Sequence, residues 1–181
     1  MNVGATSETD YGDYFMWGST TPNTADECTW ANAPFNNGSS EYDDEYFNSV
    51  KNTVCPNGIL AKKYDTAAQI MGGDWRMPTQ TECQELVDNT NSEWVENFHE
   101  SSVSGRKFTS KTDTSKYIFI PASGFRSGSS FDGQGKICDI WSSSLITSEL
   151  YNAWVLSSTS YYVYADSDGS CEGGLVVRGV L

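Results

Sequence analysis

Gly72-Gly73-Asp74-Trp75-Arg76-Met77-Pro78-Thr79-Gln80-Thr81-Glu82-Cys83-Gln84-Glu85-Leu86-Val87 is the stretch on which the architecture turns. Thr79 follows Pro78 and stands three residues before Glu82, the spacing at which a hydroxyl and a carboxylate each cap the other residue's backbone N–H. Cys83, Leu86 and Val87 then fall at i, i+3 and i+4, one apolar face of a helix predicted over about residues 80–89. Upstream, Tyr64 to Met71 reads as a shorter helix capped by Asp65 or Thr66, apolar at Ala67, Ala68, Ile70 and Met71, and stopped by Gly72-Gly73.

After Asn91 every run reads as β. Trp94 to Phe98, Lys107 to Ser110, Tyr117 to Pro121, Ile140 to Ser142, Ala153 to Leu156, Tyr161 to Ala165 and Leu175 to Val180 are short apolar runs separated by Gly, Ser and Asp. Near the start, Tyr14-Phe15-Met16-Trp17, ended by Gly18, predicts one more strand. Residues 21 to 57 turn to Asn, Asp, Glu, Ser and Gly with isolated aromatics (Trp30, Phe35, Tyr42, Tyr46, Phe47), which predicts a long irregular excursion pinned by rings. Two helices early and strands late make an α+β fold, and no repeat or linker divides residues 1–181, so one domain is expected.

Charge and cysteine usage exclude several functions. The 181 residues carry a formal net charge of −13, which opposes contact with phosphate backbones or anionic headgroups, so neither nucleic-acid binding nor membrane insertion is expected. No apolar run is long enough to span a bilayer, and residues 1–20 are too polar for the core of a signal peptide. Hydrophobic residues make up only 38%, but 13% aromatics supply burial, so the chain should fold. Cys28, Cys55, Cys83, Cys138 and Cys171 stand far apart, with no CxxC pair and His99 as the one histidine, which disfavours a zinc site. An odd count leaves at least one free thiol; the spacing fits either one or two bridges or buried free cysteines.

Trp141 to Asp168 has the composition of a recognition surface: many serines, Tyr at 151, 161, 162 and 164, Trp at 141 and 154, and no Lys or Arg from Ile137 through Val177. Tyr and Trp offer large amphipathic area at low rotamer cost, and Ser and Asn offer adaptable hydrogen bonds. Strand alternation predicts Tyr162 and Tyr164 on one face, with Tyr161, Val163 and Ala165 on the other. Asp166-Ser167-Asp168-Gly169 matches part of a calcium loop, but the full pattern wants an oxygen ligand at 164 and Glu at 175, where Tyr164 and Leu175 stand. A β-turn is the plainer expectation, and no cofactor is expected. His99 has no nucleophile motif beside it, and the carboxylate pairs read as solvated faces. Arg76, Arg126 and Arg178, set in apolar or tight stretches, are expected to satisfy backbone carbonyls or a buried carboxylate while their stems pack.

Several blocks in order resemble one family: Asn2-Val3-Gly4-Ala5, Tyr11-Gly12-Asp13-Tyr14-Phe15, Trp17-Gly18, Gly72-Gly73-Asp74-Trp75-Arg76-Met77-Pro78-Thr79 with Glu82, Ile118-Phe119-Ile120-Pro121-Ala122-Ser123-Gly124-Phe125-Arg126, Trp141-Ser142-Ser143 and Val176-Val177-Arg178. The chain is similar over nearly its whole length to the C-type-lectin-fold surface proteins of gut Bacteroidetes and their phages, which include variable proteins diversified by retroelements. The resemblance implies a C-type lectin-like fold of the formylglycine-generating-enzyme type, two helices framing a small twisted antiparallel sheet. It also implies a ligand surface between about Ser144 and Gly173, the stretch that composition singles out. Three features differ from the family pattern: it usually has a strand ahead of Asn2, a proline where Gly179 stands, and an arginine in the variable stretch. The closely spaced cysteine pair of the formylglycine-generating enzymes is absent.

The expected function is therefore a non-enzymatic binding module, extracellular, on a cell surface or on a phage particle, recognising a protein or glycan ligand. Tyr151, Asn152, Trp154, Tyr161, Tyr162, Tyr164, Asp166, Asp168 and Ser170 are the expected contact residues. The alternatives are a fixed-specificity adhesin or fimbria-tip module, and an enzyme acting in the 21–57 region.

Overall fold

Three α-helices begin on side-chain caps in the computed structural model, which describes residues 1–181. Asp43 accepts from the Tyr46 N–H at 2.9 Å to start α1 (Asp44–Val54), and Asp65 accepts from Ala68 at 2.9 Å to start α2 (Thr66–Met71). α3 (Gln80–Asn89) carries the full capping box: Thr79 Oγ1 accepts from the Glu82 N–H at 3.3 Å and Glu82 Oε2 from the Thr79 N–H at 2.9 Å. These caps satisfy N–H groups that a first turn otherwise leaves orphaned. α1 lies inside the excursion expected to be irregular. Its Asp43 cap and its spaced apolar residues Phe47, Val50 and Val54 overcome an Asn-rich composition, so the fold has three helices and not two.

Ten strands follow the chain: β1 (Tyr14–Phe15), β2 (Thr90–Val95), β3 (Gly105–Ser110), β4 (Tyr117–Pro121), β5 (Phe125–Ser127), β6 (Ser130–Asp132), β7 (Cys138–Leu145), β8 (Asn152–Ser158), β9 (Val163–Ser170) and β10 (Leu175–Val176). They form a five-stranded sheet in the order β1-β10-β7-β8-β9, a three-stranded sheet β2-β3-β4 and the hairpin β5-β6. The architecture is α+β. One pairing departs from the antiparallel rule: β10 runs parallel to β7, with Val176 opposite Ile140. The ends of the chain meet, since the Val3 N–H donates to Val177 O at 2.8 Å and Asn2 bridges Arg178.

The five-stranded sheet separates two apolar clusters. One holds Phe15, Trp17, Phe35, Phe47, Trp141, Val155 and Val177; the other holds Cys83, Phe108, Ile120, Ile140, Leu156, Ala165 and Val176. Trp17 and Trp141 are fully buried and bond each other's neighbourhood, Trp17 Nε1 to Ser142 O at 2.9 Å and Trp141 Nε1 to Phe15 O at 2.8 Å. Between Trp141 and Leu145 the β7–β8 register shifts, and the displaced serines hold the helical layer: Ser143 N–H donates to Pro78 O, Ser144 Oγ accepts from Gln80 N–H, and Ser143 O accepts from Leu60 N–H. The Trp141-Ser142-Ser143 block is thus a scaffold joint.

All five cysteines are free and buried, and burial pushes the Cys28 and Cys55 thiols up to about 11 and those of Cys83 and Cys138 to about 12. The three arginines singled out by sequence are structural, although the carboxylate that Arg76 holds is partly exposed and not buried as expected. Arg76 grips Glu82 with both terminal nitrogens (2.7 and 2.5 Å), Arg126 donates to Asn23 O beneath the Tyr14 ring, and Arg178 donates to Phe119 O at 2.9 Å. No helix is long and apolar enough to cross a membrane.

Candidate functional site

β8 and β9 are joined by a tight connection in which the Thr159 N–H donates to Tyr162 O at 3.0 Å and the Tyr161 N–H to Thr159 Oγ1 at 3.2 Å. Tyr161 projects from this turn and is 94% exposed; Tyr162 and Tyr164 are 38% and 53% exposed. The last two stand two residues apart on one face, and their rings stack with centroids 4.9 Å apart and planes 21° from parallel. Offset stacking of this kind fixes both rings at little cost. Tyr161, expected on the opposite strand face, instead precedes β9 and lies in the turn.

The turn is held from beneath by Arg106 on β3, a buried residue that sequence reading passed over. Its Nε donates to Ser158 Oγ at 3.1 Å and its Nη2 to the carbonyls of Thr159 and of Tyr162, the latter at 3.0 Å. The Trp94 ring lies 5.9 Å from the guanidinium carbon. A planar guanidinium can reach several fixed acceptors at once, so it sets the shape of the turn. Beside it, Trp94, Glu96, Lys136, Ser160, Tyr161 and Tyr162 line an open cleft of about 440 Å3. Its signal in the sequence was weak, because its walls come from segments about forty and sixty residues apart.

The remaining expected contact residues do not all join this patch. Between Val155 and Ser157 the β8–β9 register shifts: two steps on β8 oppose three on β9, from Tyr164 to Ser167. The additional residue at Ala165–Asp166 flips the alternation. Tyr164 pairs with Ser157 on the face of Val155, whereas Asp168 pairs with Trp154 on the face of Leu156. Without the bulge, Tyr164 and Asp168, four residues apart, would share a face. Asp166 and Asp168 are exposed, Trp154 and Ser170 partly so. Tyr151 lies at the far end of the sheet with its ring 5.8 Å from that of Tyr42. Asn152 is buried, and its amide donates to Glu149 Oε2 and Asp168 Oδ2, each at 3.2 Å; it braces the strand ends and offers no free contact surface.

Asp166-Ser167-Asp168-Gly169 lies within β9, so it is neither a turn nor an ion loop. Gly169 is required by packing: a Cβ there would stand 2.8 Å from the Trp141 ring and from Val155 Cγ2. No group of three or more His, Cys, Asp or Glu side chains is placed to hold a metal ion. Asp139 on β7 pairs with Ser157, which pairs in turn with Tyr164, so its carboxyl lies in the same cross-strand row as the tyrosines. Its Oδ1 has no partner, and burial raises its pKa to about 6, opposed by a hydrogen bond with Ser157.

The largest cleft, about 540 Å3, lies elsewhere, between Leu60, Asp65, Trp75, Arg76, Glu82 and Ser143. Three of its charged groups, Asp65, Arg76 and Glu82, are committed to structure. Asp65 accepts from Ala68 and Met77 N–H groups, and Glu82 is held at about 2 by the Arg76 hydrogen bonds and its capping contacts with Thr79. In the 21–57 region Phe35 and Phe47 are core residues, and Trp30 and Tyr42 pack against them. His99 is exposed, 3.3 Å from the Tyr117 hydroxyl. Compared with protein-family models, with curated proteins and with solved structures, the chain matches none.

Proposed function

We propose that this chain is a non-enzymatic binding module, and that the aromatic hairpin between β8 and β9 is its recognition surface for a protein or glycan ligand. The observation that carries the reading is the union of exposure and rigidity at one place. Tyr161 and Tyr162 stand out from a turn whose backbone is fixed by a buried guanidinium, and Tyr164, at the start of β9, stacks on Tyr162. Rings that are ordered before binding lose little entropy on contact, and exposed aromatic anchors dominate the energy of most interfaces. The family resemblance supports the same surface, since it assigns ligand contact to about Ser144–Gly173 and a C-type lectin-like fold to the whole. In that reading the chain works outside the cell, on a cell surface or on a phage particle, without a bound ion.

Two features weigh against the enzyme alternative. In the largest cleft Arg76 and Glu82 are paired and Glu82 and Asp65 cap helices, and the one strongly raised carboxyl, Asp139, has Ser157 and Tyr164 in its row but no histidine beside it. Between a diversified and a fixed-specificity adhesin, the gene neighbourhood discriminates: a reverse transcriptase gene with a near-identical, adenine-substituted template repeat favours the first. The functional test is retention of the labelled chain on glycan arrays and on panels of bacterial cells. The unaltered chain should be retained on some members and the Tyr162→Ala/Tyr164→Ala variant should not, with both folded. Equal retention of the two would refute the assignment.

A further inference from the structure

β9 ends the five-stranded sheet, and its outer edge is unpaired. The alternation of ladder bonds tells which groups point outward. The Cys171 N–H donates to Tyr151 O at 2.9 Å, so with a regular register Gly169 and Ser167 bond to β8 while the backbone groups of Asp168 and Ser170 turn away from it. Gly173 N–H reaching Ser170 O at 2.7 Å from that outer side agrees with this. No turn, loop or cap hydrogen bond meets the N–H or C=O of Asp168, and the ladder alternation turns both away from β8. α3 covers the sheet face to which Ala165 turns, and the bulge confines its distortion to residues 165–166. Edges of this kind are templates for another strand unless charge, proline or a covering element blocks them.

The charge on this edge is one-sided. Asp166 and Asp168 are exposed; Asp168 and Glu149 converge on the single Asn152 amide, and none of the three carboxylates forms an ion pair. No Lys or Arg occurs from Ile137 through Val177, and the whole chain carries −13. Such an edge repels a second copy of itself, because pairing two β9 strands would oppose like charges, and it attracts a cationic strand. We propose that the outer edge of β9 takes an extended segment of a partner protein bearing Lys or Arg at alternate positions, added as a further strand against the N–H and C=O of Asp168 and the N–H of Ser170, whose carbonyl is taken by Gly173. Main-chain bonds would supply affinity, and cationic side chains reaching Asp166, Asp168 and Glu149 would supply selectivity. The inference rests on reading this end of the sheet as a recognition surface, and it narrows the ligand there to protein.

The test is nuclear magnetic resonance titration of the isotope-labelled full chain with a synthetic peptide of about eight residues alternating lysine and threonine, whose side chains then segregate to the two faces of a strand. Two further peptides are N-methylated on one or the other alternate set of residues. The expected result is perturbation and slowed exchange of the Asp168 and Ser170 amides, loss of binding with one methylated set and its retention with the other. Asp166→Lys, at a side chain that makes no hydrogen bond, should weaken binding about tenfold or more, and added salt should weaken it further. Equal binding of both methylated peptides would mean charge attraction without strand pairing and would overturn the proposal, as would no binding or peptide-free dimerisation through β9. Perturbation confined to Tyr161 and Tyr162 would also overturn it while leaving the aromatic recognition surface standing.

Discussion

The Arg106 guanidinium donates to the carbonyl oxygen of Tyr162 at 3.0 Å, tying β3 to a turn 56 positions further along the chain. The same group bonds Ser158 and Thr159, so one cation on the inner strand sets the backbone from which the exposed tyrosines project. Arg106→Ala strands those acceptors and should destabilise the chain by about 2–4 kcal/mol, since hydrogen bonds to a buried charge exceed neutral ones. Hydrogen exchange should show the loss concentrated in residues 158–164. Uniform loss across both sheets would mean that Arg106 supports the core at large.

Tyr162→Ala/Tyr164→Ala removes two solvent-facing rings and should leave the thermal midpoint within about 4 °C, as surface changes usually do. Ligand retention should fall by about 1–3 kcal/mol if these rings are anchors. Calorimetric melting of the double variant beside the unaltered chain separates the two effects.

Gly169 behaves differently from its neighbours. Gly169→Val forces a side chain against Trp141 and Val155 and should cost about 1–3 kcal/mol. Asp166→Ala should change stability by less than about 0.5 kcal/mol. Guanidinium unfolding of the two variants checks this contrast, and melting with calcium or a chelator should give superimposable curves. A calcium loop at 166–169 would produce a calcium-dependent midpoint and comparable sensitivity at both positions.

Asp139 gives a pH signature. Its folded pKa, about 6, lies above its ordinary value of 3.8, so the folded state favours the protonated carboxyl. That contribution is complete below about pH 4 and is lost as pH rises through about 6, at a cost on the order of 3 kcal/mol. Asp139→Asn should therefore melt above the unaltered chain at pH 8 and lose most of that advantage at pH 4. An advantage that grew on acidification would contradict the assignment.

Much of this was legible in the sequence, and the remainder has identifiable physical causes. The Thr79–Glu82 capping box located α3 to the residue, and the tyrosine spacing placed Tyr162 and Tyr164 together on one face, because both signals are local. α1 was hidden by an Asn- and Ser-rich context, although Asp43 with Phe47, Val50 and Val54 carried its signature. The bulge that sends Tyr164 and Asp168 to opposite faces has no marker in composition, and Arg106 acquires its role only when β3 and the β8–β9 turn come together. Asn152 reads as an adaptable surface amide; pairing within the sheet edge buries it.

The most direct test of the central claim uses Tyr161→Ser/Tyr162→Ser/Tyr164→Ser, with thermal melting and retention on glycan arrays and cell panels measured on the same preparation. An exposed, clamped recognition hairpin predicts a midpoint within a few degrees of the unaltered chain, together with loss of retention. A collapsed midpoint would show the rings to be core, and undiminished retention would show that recognition lies on another surface.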